Sequence, residues 1–243
     1  MASHRGNSRY FPENTLAAFL SAAKLGVSIQ EFDVRELACG ELVCIHDETF
    51  DRTTNASALL GHGTLVAETD LATARTLDAG TWHGTGIKGE QVATLTEALD
   101  VMLPSCVPLI EHKAGSANRY VEFLRDNSFT DQVILQSFDW QFLTEVHRLA
   151  PEIATGALGP NKLFATPTAS AIEHMLAFGA AIVHWRAGDL TKADVDRSHA
   201  AGLLVCSYTT DDAAGWLRGK AMGIDAMCTN DPEAMRAALE VSG

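Results

Sequence analysis

The sequence predicts an α/β protein with the architecture of a (β/α)8 barrel, in which parallel strands and helices alternate. Short apolar runs, each followed by a stretch with helical periodicity, succeed one another along the chain. Most runs are continuously apolar rather than alternating, as expected for parallel strands covered on both faces. The length of 243 residues is typical of such a barrel built as one domain. A doubly wound open sheet is the alternative that the same pattern permits.

The expected strands are short. A stub before His4 is the first, and the others lie near residues 28–34, 107–112, 132–137, 153–158, 180–185, 203–208 and 224–229. In a barrel the carboxyl ends of all these strands meet at one face, where enzymes of this fold place their catalytic groups.

The helices carry start and stop signals of their own. Apolar residues at helical spacing begin at Leu16, and Gly26 can end that helix. Thr94 and Glu97 form a capping box, and Asp231 before a proline supplies an N-cap for the last helix. Further helices fit residues 117–127, 139–149, 168–178, 191–201 and 211–221.

One segment interrupts the alternation. Residues 41–92 separate the second strand from its helix, beginning with a short apolar run over residues 42–45 and continuing rich in Gly, Thr and Asp. This segment is too long for an ordinary strand-to-helix loop. Long loops at this rim of a barrel usually help to build the site, so the segment is expected to contribute to function.

The charge and hydropathy exclude several classes of function. A net charge of −13 repels polyanions, so neither nucleic acid nor an anionic membrane is expected as the main partner. No apolar stretch is long enough to span a bilayer, and the N-terminus lacks the apolar segment of a secretory signal. These observations predict a soluble protein that acts on a small molecule, as a monomer or a homodimer.

The cysteines indicate a reducing compartment. There are five of them, an odd number, and no pair has CxxC spacing. Cys44, Cys206 and Cys228 lie within apolar runs. We therefore expect reduced, mostly buried thiols in a cytoplasmic protein rather than a disulfide framework.

Acidic side chains stand at the ends of two expected strands. Glu31 and Asp33 share one face of the second strand because side chains alternate along it, and Glu111 ends the third strand with Lys113 two residues further on. In a barrel these groups converge at one mouth. Carboxylates so close repel one another unless a cation binds or some are protonated. An all-oxygen site favours Mg²⁺ or Ca²⁺ over zinc.

Two histidines follow strand-like runs as well. His4 and Arg5 come after the first stub, and His46 comes after the apolar run 42–45. A phosphodiester resists hydrolysis because it is anionic and its leaving alkoxide is basic. Two imidazoles can take one proton and give another near neutral pH, while Arg5 and Lys113 can neutralise phosphate oxygens.

The residues resemble one known family, the glycerophosphodiester phosphodiesterases. Its N-terminal signature is matched nearly element by element, and weaker similarity continues along essentially the whole chain. The matching segments are His4-Arg-Gly, Pro12-Glu-Asn-Thr15, Glu31-Phe-Asp-Val, Val43-Cys-Ile-His-Asp47, Asp51-Arg-Thr-Thr54, Glu111-His-Lys113, Gln136-Ser-Phe138, Gly223-Ile-Asp and Thr229-Asn-Asp-Pro232.

The resemblance implies a TIM barrel formed as one domain over residues 1–243, with a small insertion over residues 47–90. It implies hydrolysis of glycerophosphodiesters to sn-glycerol 3-phosphate and an alcohol, a reaction of glycerol and lipid metabolism. It makes His4 and His46 the general acid/base pair and Arg5 and Lys113 phosphate contacts. Glu31, Asp33 and Glu111 become the ligands of one divalent cation, Mg²⁺ or Ca²⁺.

The sequence departs from the family at the substrate-facing wall. Ser207-Tyr208-Thr209-Thr210 stands where Trp-Thr-Val-Asn is common. Tyr208 can still stack or hydrogen-bond at the mouth, and Trp185, at the end of another strand, is a further candidate substrate contact. The alternatives left open are a related phosphodiesterase acting on lysophospholipids and a non-catalytic glycerophosphate-binding barrel. A glycosidase is weaker, because it leaves the histidines and cations without a role.

Overall fold

A computed structural model describes residues 1–241. The chain divides into two compact units, an N-terminal unit of Ser3–Gly115 and a C-terminal unit of Ser116–Gly243 together with Met1–Ala2. The expectation that residues 1–243 form one domain with an insertion over 47–90 stays a prediction.

The N-terminal unit contains the strands and helices that the sequence predicts for it, with short additional elements between β3 and α4. In chain order they are β1 (Ala2–His4, of which the last two residues belong to this unit), α1 (Leu16–Lys24), β2 (Ile29–Glu36), β3 (Leu42–Cys44), α2 (Ala56–Leu59), α3 (Leu71–Ala74), α4 (Leu95–Met102) and β4 (Val107–His112). Short 3-10 turns lie at Val66–Glu68 and Thr81–His83.

The pairing of β2 positions acidic groups side by side. β2 runs parallel to β4 with Asp33 opposite Glu111, so these two side chains leave the sheet as neighbours. Glu31 lies two residues earlier on β2 and shares that face. β3 runs antiparallel to β2, with Val34 opposite Cys44, which brings the chain back so that His46 follows directly at the end of the pair.

The segment between β3 and α4 has a small apolar core of its own. Its buried side chains pack together with Leu37 and Val43 of the neighbouring strand region; they are Ile45, Phe50, Ala56, Val66, Ala74, Leu77, Ala79 and Val92. This segment is therefore folded against the unit rather than an open loop.

The C-terminal unit alternates helices and strands, with a short 3-10 turn at Ala187–Asp189. Its elements are α5 (Ala117–Asp126), β5 (Ile134–Ser137), α6 (Trp140–Leu149), β6 (Ala154–Gly159), α7 (Ala169–Ala177), β7 (Ile182–Arg186), α8 (Lys192–Ala200), β8 (Leu204–Tyr208), α9 (Ala213–Met222), β9 (Ala226–Thr229) and α10 (Pro232–Val241). Strands β5 to β9 pair in parallel in sequence order.

Local capping explains where the helices begin. The predicted capping box of α4 is confirmed, with the Thr94 hydroxyl and the Glu97 carboxylate each accepting the other residue's backbone N–H. A second capping box joins Thr191 and Asp194 at α8, and the Asp139 carboxylate caps α6. Among residues 1–241, no helix has the length and apolar character needed to cross a membrane.

Candidate active site

The turn between β1 and α1 is held in an uncommon conformation. Arg5 and Asn14 both have positive φ, +57° and +56°, in the left-handed region that side chains other than glycine seldom adopt. The Arg5 N–H donates to the Glu31 carbonyl at 2.8 Å, and the Asn14 N–H donates to the Arg5 carbonyl at 3.2 Å. Strain of this kind persists where the surroundings hold the backbone, and it often accompanies function.

Three carboxylates meet on the face of β2 and β4. Glu31, Asp33 and Glu111 are buried, and each offers an oxygen within 4.8 Å of the others. Burial and the charges of the other two carboxylates raise the pKa of Glu31 well above its usual range. Burial acts in the same direction on Asp33, but Arg5 and Lys113 outweigh it and lower the pKa of Asp33 to about 2.

This donor set fits a divalent cation that prefers oxygen ligands. Bringing three ionisable carboxyl groups out of water at such short distances is unfavourable unless positive charge compensates them. At Glu31, Arg5 and Lys113 act against burial and the two neighbouring carboxylates, yet the pKa of this group remains raised. Glu31, Asp33 and Glu111 could therefore hold a divalent cation.

Two cationic side chains border the carboxylates. The Arg5 Nε lies 3.0 Å from Asp33 Oδ2, and its Nη1 donates to Glu13 Oε1 at 2.7 Å. The Lys113 Nζ lies 3.3 Å from Asp33 Oδ1 and also pairs with Glu111 Oε1. Both side chains keep a small exposed fraction, 16% for Arg5 and 14% for Lys113, so an anion can reach them from solvent.

His4 lies beside the buried carboxylates. Its Nε2 is 3.9 Å from Glu31 Oε2, and its side chain is 18% exposed. The His4 carbonyl accepts a hydrogen bond from the Ser8 hydroxyl at 2.8 Å, which anchors the residue at the end of β1.

His46 is oriented by a neighbouring acid. Its Nδ1 is 2.6 Å from Asp47 Oδ1, and Arg52 Nε donates to the other Asp47 oxygen at 2.6 Å. Because Asp47 holds Nδ1–H, the Nε2 lone pair is available. Partial burial, with Arg5 and Lys113 nearby, lowers the pKa of His46 despite opposing effects of Asp33 and Asp47.

Several residues that orient this site had no role assigned from the sequence. Glu13 accepts hydrogen bonds from Arg5 and from the two terminal guanidinium nitrogens of Arg52, whose Nη1 and Nη2 lie 3.0 and 2.9 Å from its oxygens. Asn14 and Asp47 position Asp33 and His46 respectively. All of them lie in segments that resemble the family's signature, and that resemblance could have pointed to them. The alternation of side chains along strands could not, because it does not predict contacts between loops.

The two candidate substrate contacts of the C-terminal unit differ in exposure. Tyr208 is partly exposed; its hydroxyl donates to the Gly159 carbonyl at 2.8 Å, and its ring packs edge-on against Phe138. Trp185 is fully buried, with its ring edge-on to Trp140 and its Nε1 donating to the Ala165 carbonyl at 3.1 Å. This is the placement of a core side chain. A role in substrate binding stays a prediction for both residues.

Carboxylates flanked by imidazoles and cations suit an enzyme that moves protons at an anionic ester. One family of such enzymes matches nearly the whole chain. The chain belongs to the Glycerophosphoryl diester phosphodiesterase family, whose model matches residues 4–234. It is accordingly an enzyme, a phosphodiesterase of the glycerophosphodiester type, as its resemblance implied.

Individual relatives support this assignment. A glycerophosphodiester phosphodiesterase of Bacillus subtilis (strain 168) is 32% identical over 251 residues, covering 95% of this chain and 83% of the relative. One from Caldanaerobacter subterraneus subsp. tengcongensis is 32% identical over 243 residues, covering 96% and 94%.

A solved structure extends the similarity to three dimensions. An Oleispira antarctica phosphodiesterase in complex with the product sn-glycerol-3-phosphate is 28% identical, has a TM-score of 0.88, and is matched over 98% of this chain and 96% of its own. The structural similarity confirms the (β/α)8 barrel that the sequence predicts and removes the doubly wound alternative.

Proposed function

We propose that this enzyme hydrolyses glycerophosphodiesters, such as glycerophosphocholine, to sn-glycerol 3-phosphate and an alcohol. The reaction depends on one divalent cation, Mg²⁺ or Ca²⁺, and on proton transfer by His4 and His46. The observation that carries the proposal is the buried group of Glu31, Asp33 and Glu111, bordered by imidazole and cationic side chains. The product complex of the Oleispira antarctica relative supports the identity of one product.

The balance of charge at the site suits a phosphodiester. Three carboxylates face the cations Arg5 and Lys113; with all three ionised and one divalent cation bound, these groups would carry a net charge of about +1. That charge matches a monoanionic diester. Glu31, Asp33 and Glu111 would hold the cation, which would supply charge neutralisation of the phosphoryl group and orientation of the nucleophile. Arg5 and Lys113 then bind the remaining phosphate oxygens, with Arg5 already fixed by Glu13.

The two histidines divide the proton transfers. The lowered pKa of His46 keeps its Nε2 unprotonated near neutral pH, which suits it to accept the proton of the nucleophile. His4, whose Nε2 lies 3.9 Å from Glu31 Oε2, is the second imidazole at the site, and in this proposal it donates a proton to the leaving oxygen. The nucleophile is either water or a glycerol hydroxyl of the substrate; the second forms a cyclic phosphate that water then opens.

Tyr208 and Trp185 are the two further candidate substrate contacts of this proposal. Tyr208, partly exposed, is the stronger candidate contact, and Trp185 is the second. For Trp185 the contact requires its ring to leave the packing against Trp140. We place the enzyme in the cytoplasm, since all five of its cysteines are free thiols.

The decisive assay measures glycerol 3-phosphate released from glycerophosphocholine and glycerophosphoethanolamine, with Mg²⁺, with Ca²⁺ and with a chelator. We expect release with metal and none with the chelator. His4→Ala and His46→Ala each lose about 10²–10⁴-fold in rate. His62→Ala is the matched control, because its side chain is 87% exposed and outside the site.

Other outcomes would redirect the proposal. Turnover confined to acylated substrates would indicate the lysophospholipid alternative. Binding of glycerol 3-phosphate without turnover under any metal, by a folded protein, would indicate a non-catalytic barrel. Near wild-type rates in either histidine variant would remove that residue from the mechanism.

A further inference from the structure

A second group of side chains that could hold a metal ion lies in the C-terminal unit. His184, Cys206 and Cys228 are fully buried, and their ligand atoms all lie within 4.8 Å of one another. They come from β7, β8 and β9 respectively. The family assignment gives these residues no role, and none of them takes part in the proposed hydrolysis.

The register of the strands explains why the three side chains meet. His184 is opposite Cys206 on the paired strands β7 and β8, so both side chains leave the same face. Cys206 is opposite Ala226 on β9, and Cys228, two residues further along β9, shares that face. The cluster is therefore set by the rigid sheet and not by loops.

The same register disfavours a disulfide. Strands lie about 4.8 Å apart, and two residues advance about 6.6 Å, so the Cα atoms of Cys206 and Cys228 are separated by about 8 Å. A disulfide requires a separation below about 7 Å. The two sulfurs are close enough to bind the same metal ion, but the Cα atoms are too far apart for the cysteines to form a disulfide.

A hydrogen bond orients the imidazole for coordination. His184 Nδ1 is 2.5 Å from Gln136 Oε1, an oxygen that can only accept, so Nδ1 carries the proton. The Nε2 lone pair consequently faces Cys228, whose Sγ lies 3.6 Å away. Histidines that bind metals are usually held in this way by an acceptor on their other nitrogen.

Gly156 leaves room for the hydrogen bond between Gln136 and His184. Gln136 is on β5 and His184 on β7, with β6 between them. Gly156 is opposite Gln136, and a Cβ at this position would lie 3.9 Å from Gln136 Oε1 and 3.3 Å from its Cβ. The missing side chain leaves space for Gln136 to extend across β6.

We propose that His184, Cys206 and Cys228 form a binding site for one thiophilic cation, Zn²⁺ or Cu⁺, that joins β7, β8 and β9. Zn–S bonds of about 2.3 Å and Zn–N bonds of about 2.05 Å at the tetrahedral angle place N and S about 3.6 Å apart. The observed separation of His184 Nε2 and Cys228 Sγ is 3.6 Å. Sulfur and imidazole donors select such cations over Mg²⁺ or Ca²⁺. Binding displaces the thiol protons to solvent and leaves His184 neutral.

The test is a titration of the whole protein with Cd²⁺, Zn²⁺ and Cu⁺ under reducing conditions. Each metal is offered both to the folded protein and during refolding, since the site is buried. Cd²⁺ and Cu⁺ report through sulfur-to-metal charge-transfer absorption, which an all-carboxylate site cannot produce. Zn²⁺ reports by competition with Cd²⁺ and by raising the melting temperature. We expect the charge-transfer band to saturate at one cation per chain, because the carboxylate group of Glu31, Asp33 and Glu111 contributes none of it.

Matched variants locate the signal. Cys206→Ser and Cys228→Ser should each abolish the charge-transfer band, whereas Cys39→Ser, which removes an exposed thiol, should retain it. Gln136→Leu keeps both thiols and adds no donor, and we expect it to weaken binding about 10–100-fold while preserving the band at saturation.

Absence of the band in the wild-type protein under both loading conditions would overturn the proposal, whatever the variants do. A band that persists in Cys206→Ser and Cys228→Ser would also overturn it.

Discussion

Asn14 holds Asp33 at two points. Its Nδ2 donates to Asp33 Oδ2 at 2.9 Å, and its Oδ1 accepts the backbone N–H of Asp33 at 3.2 Å. Asn14 does this from a left-handed backbone conformation, with φ of +56°. The turn after β1 thereby fixes the direction of a carboxylate on β2 and leaves its other oxygen, Oδ1, facing Lys113 at 3.3 Å.

Loss of the Asn14 side chain should loosen this carboxylate. Asn14→Gly accepts the positive φ but deletes both hydrogen bonds, so we expect about 1–3 kcal/mol less stability and a higher divalent-cation requirement for activity. Asn14→Ala adds backbone strain of about 1 kcal/mol to the same loss. Urea unfolding and a metal titration of activity measure the two effects. A wild-type cation requirement in Asn14→Gly would show that Asp33 needs no such support.

In the presence of a chelator, Glu31 should make the protein less stable as the pH rises. Burial, Asp33 and Glu111 raise its folded pKa well above the unfolded value of about 4.3. Between those two values the folded chain holds one proton more than the unfolded chain, so the free energy of unfolding falls with increasing pH. Bound divalent cation should oppose the fall, because it favours the ionised carboxyl group.

Glu31→Gln isolates this contribution. With chelator present, we expect the variant to be more stable than the wild type at about pH 8 and the difference to shrink toward about pH 5. Added Mg²⁺ or Ca²⁺ should stabilise the wild type more than the variant. Urea unfolding at several pH values provides the measurement. If the free energy of unfolding of the variant fell with pH as steeply as that of the wild type, the effect would belong to another group.

Asp47 should act on catalysis through His46. Asp47→Asn removes the carboxylate that holds His46 Nδ1, and we expect a loss of about 10²-fold in kcat/KM. Because the Asp47 contact raises the pKa of His46, the variant should also move the acidic limb of the pH profile to lower pH. Asp47→Glu is the conservative control. A lowered plateau with an unmoved acidic limb would mean that Asp47 only supports the local fold.

Gly6 should tolerate no side chain. It has φ of +80°, and a Cβ there would lie 2.7 Å from the backbone carbon of Ala18 in α1. Gly63 has nearly the same φ, +82°, with nothing within 4 Å of its Cβ position. We expect Gly63→Ala to cost about 1 kcal/mol from conformation alone. Gly6→Ala should cost about 1–3 kcal/mol more from the clash. Equal losses in urea unfolding would contradict this account.

Much of the site was predictable because local rules place it. Alternation along β2 puts Glu31 and Asp33 on one face, and parallel pairing brings Glu111 beside Asp33. Helix starts followed from side chains that cap their own backbone, as at Thr94. The role of Arg52 could not be predicted from local rules, because its hydrogen bonds to Glu13 and Asp47 connect separate positions in loops.

The sequence by itself determined which residue types stand at the strand ends and which faces they share. Those properties depend on covalent geometry and on neighbours within a few residues. Only the tertiary structure decided that Glu31 and Asp33, two residues apart, have pKa values shifted in opposite directions. It also decided that His184 meets Cys206 and Cys228. Electrostatic and coordination contacts depend on distances through space, which arise only when the strands pair and water is excluded.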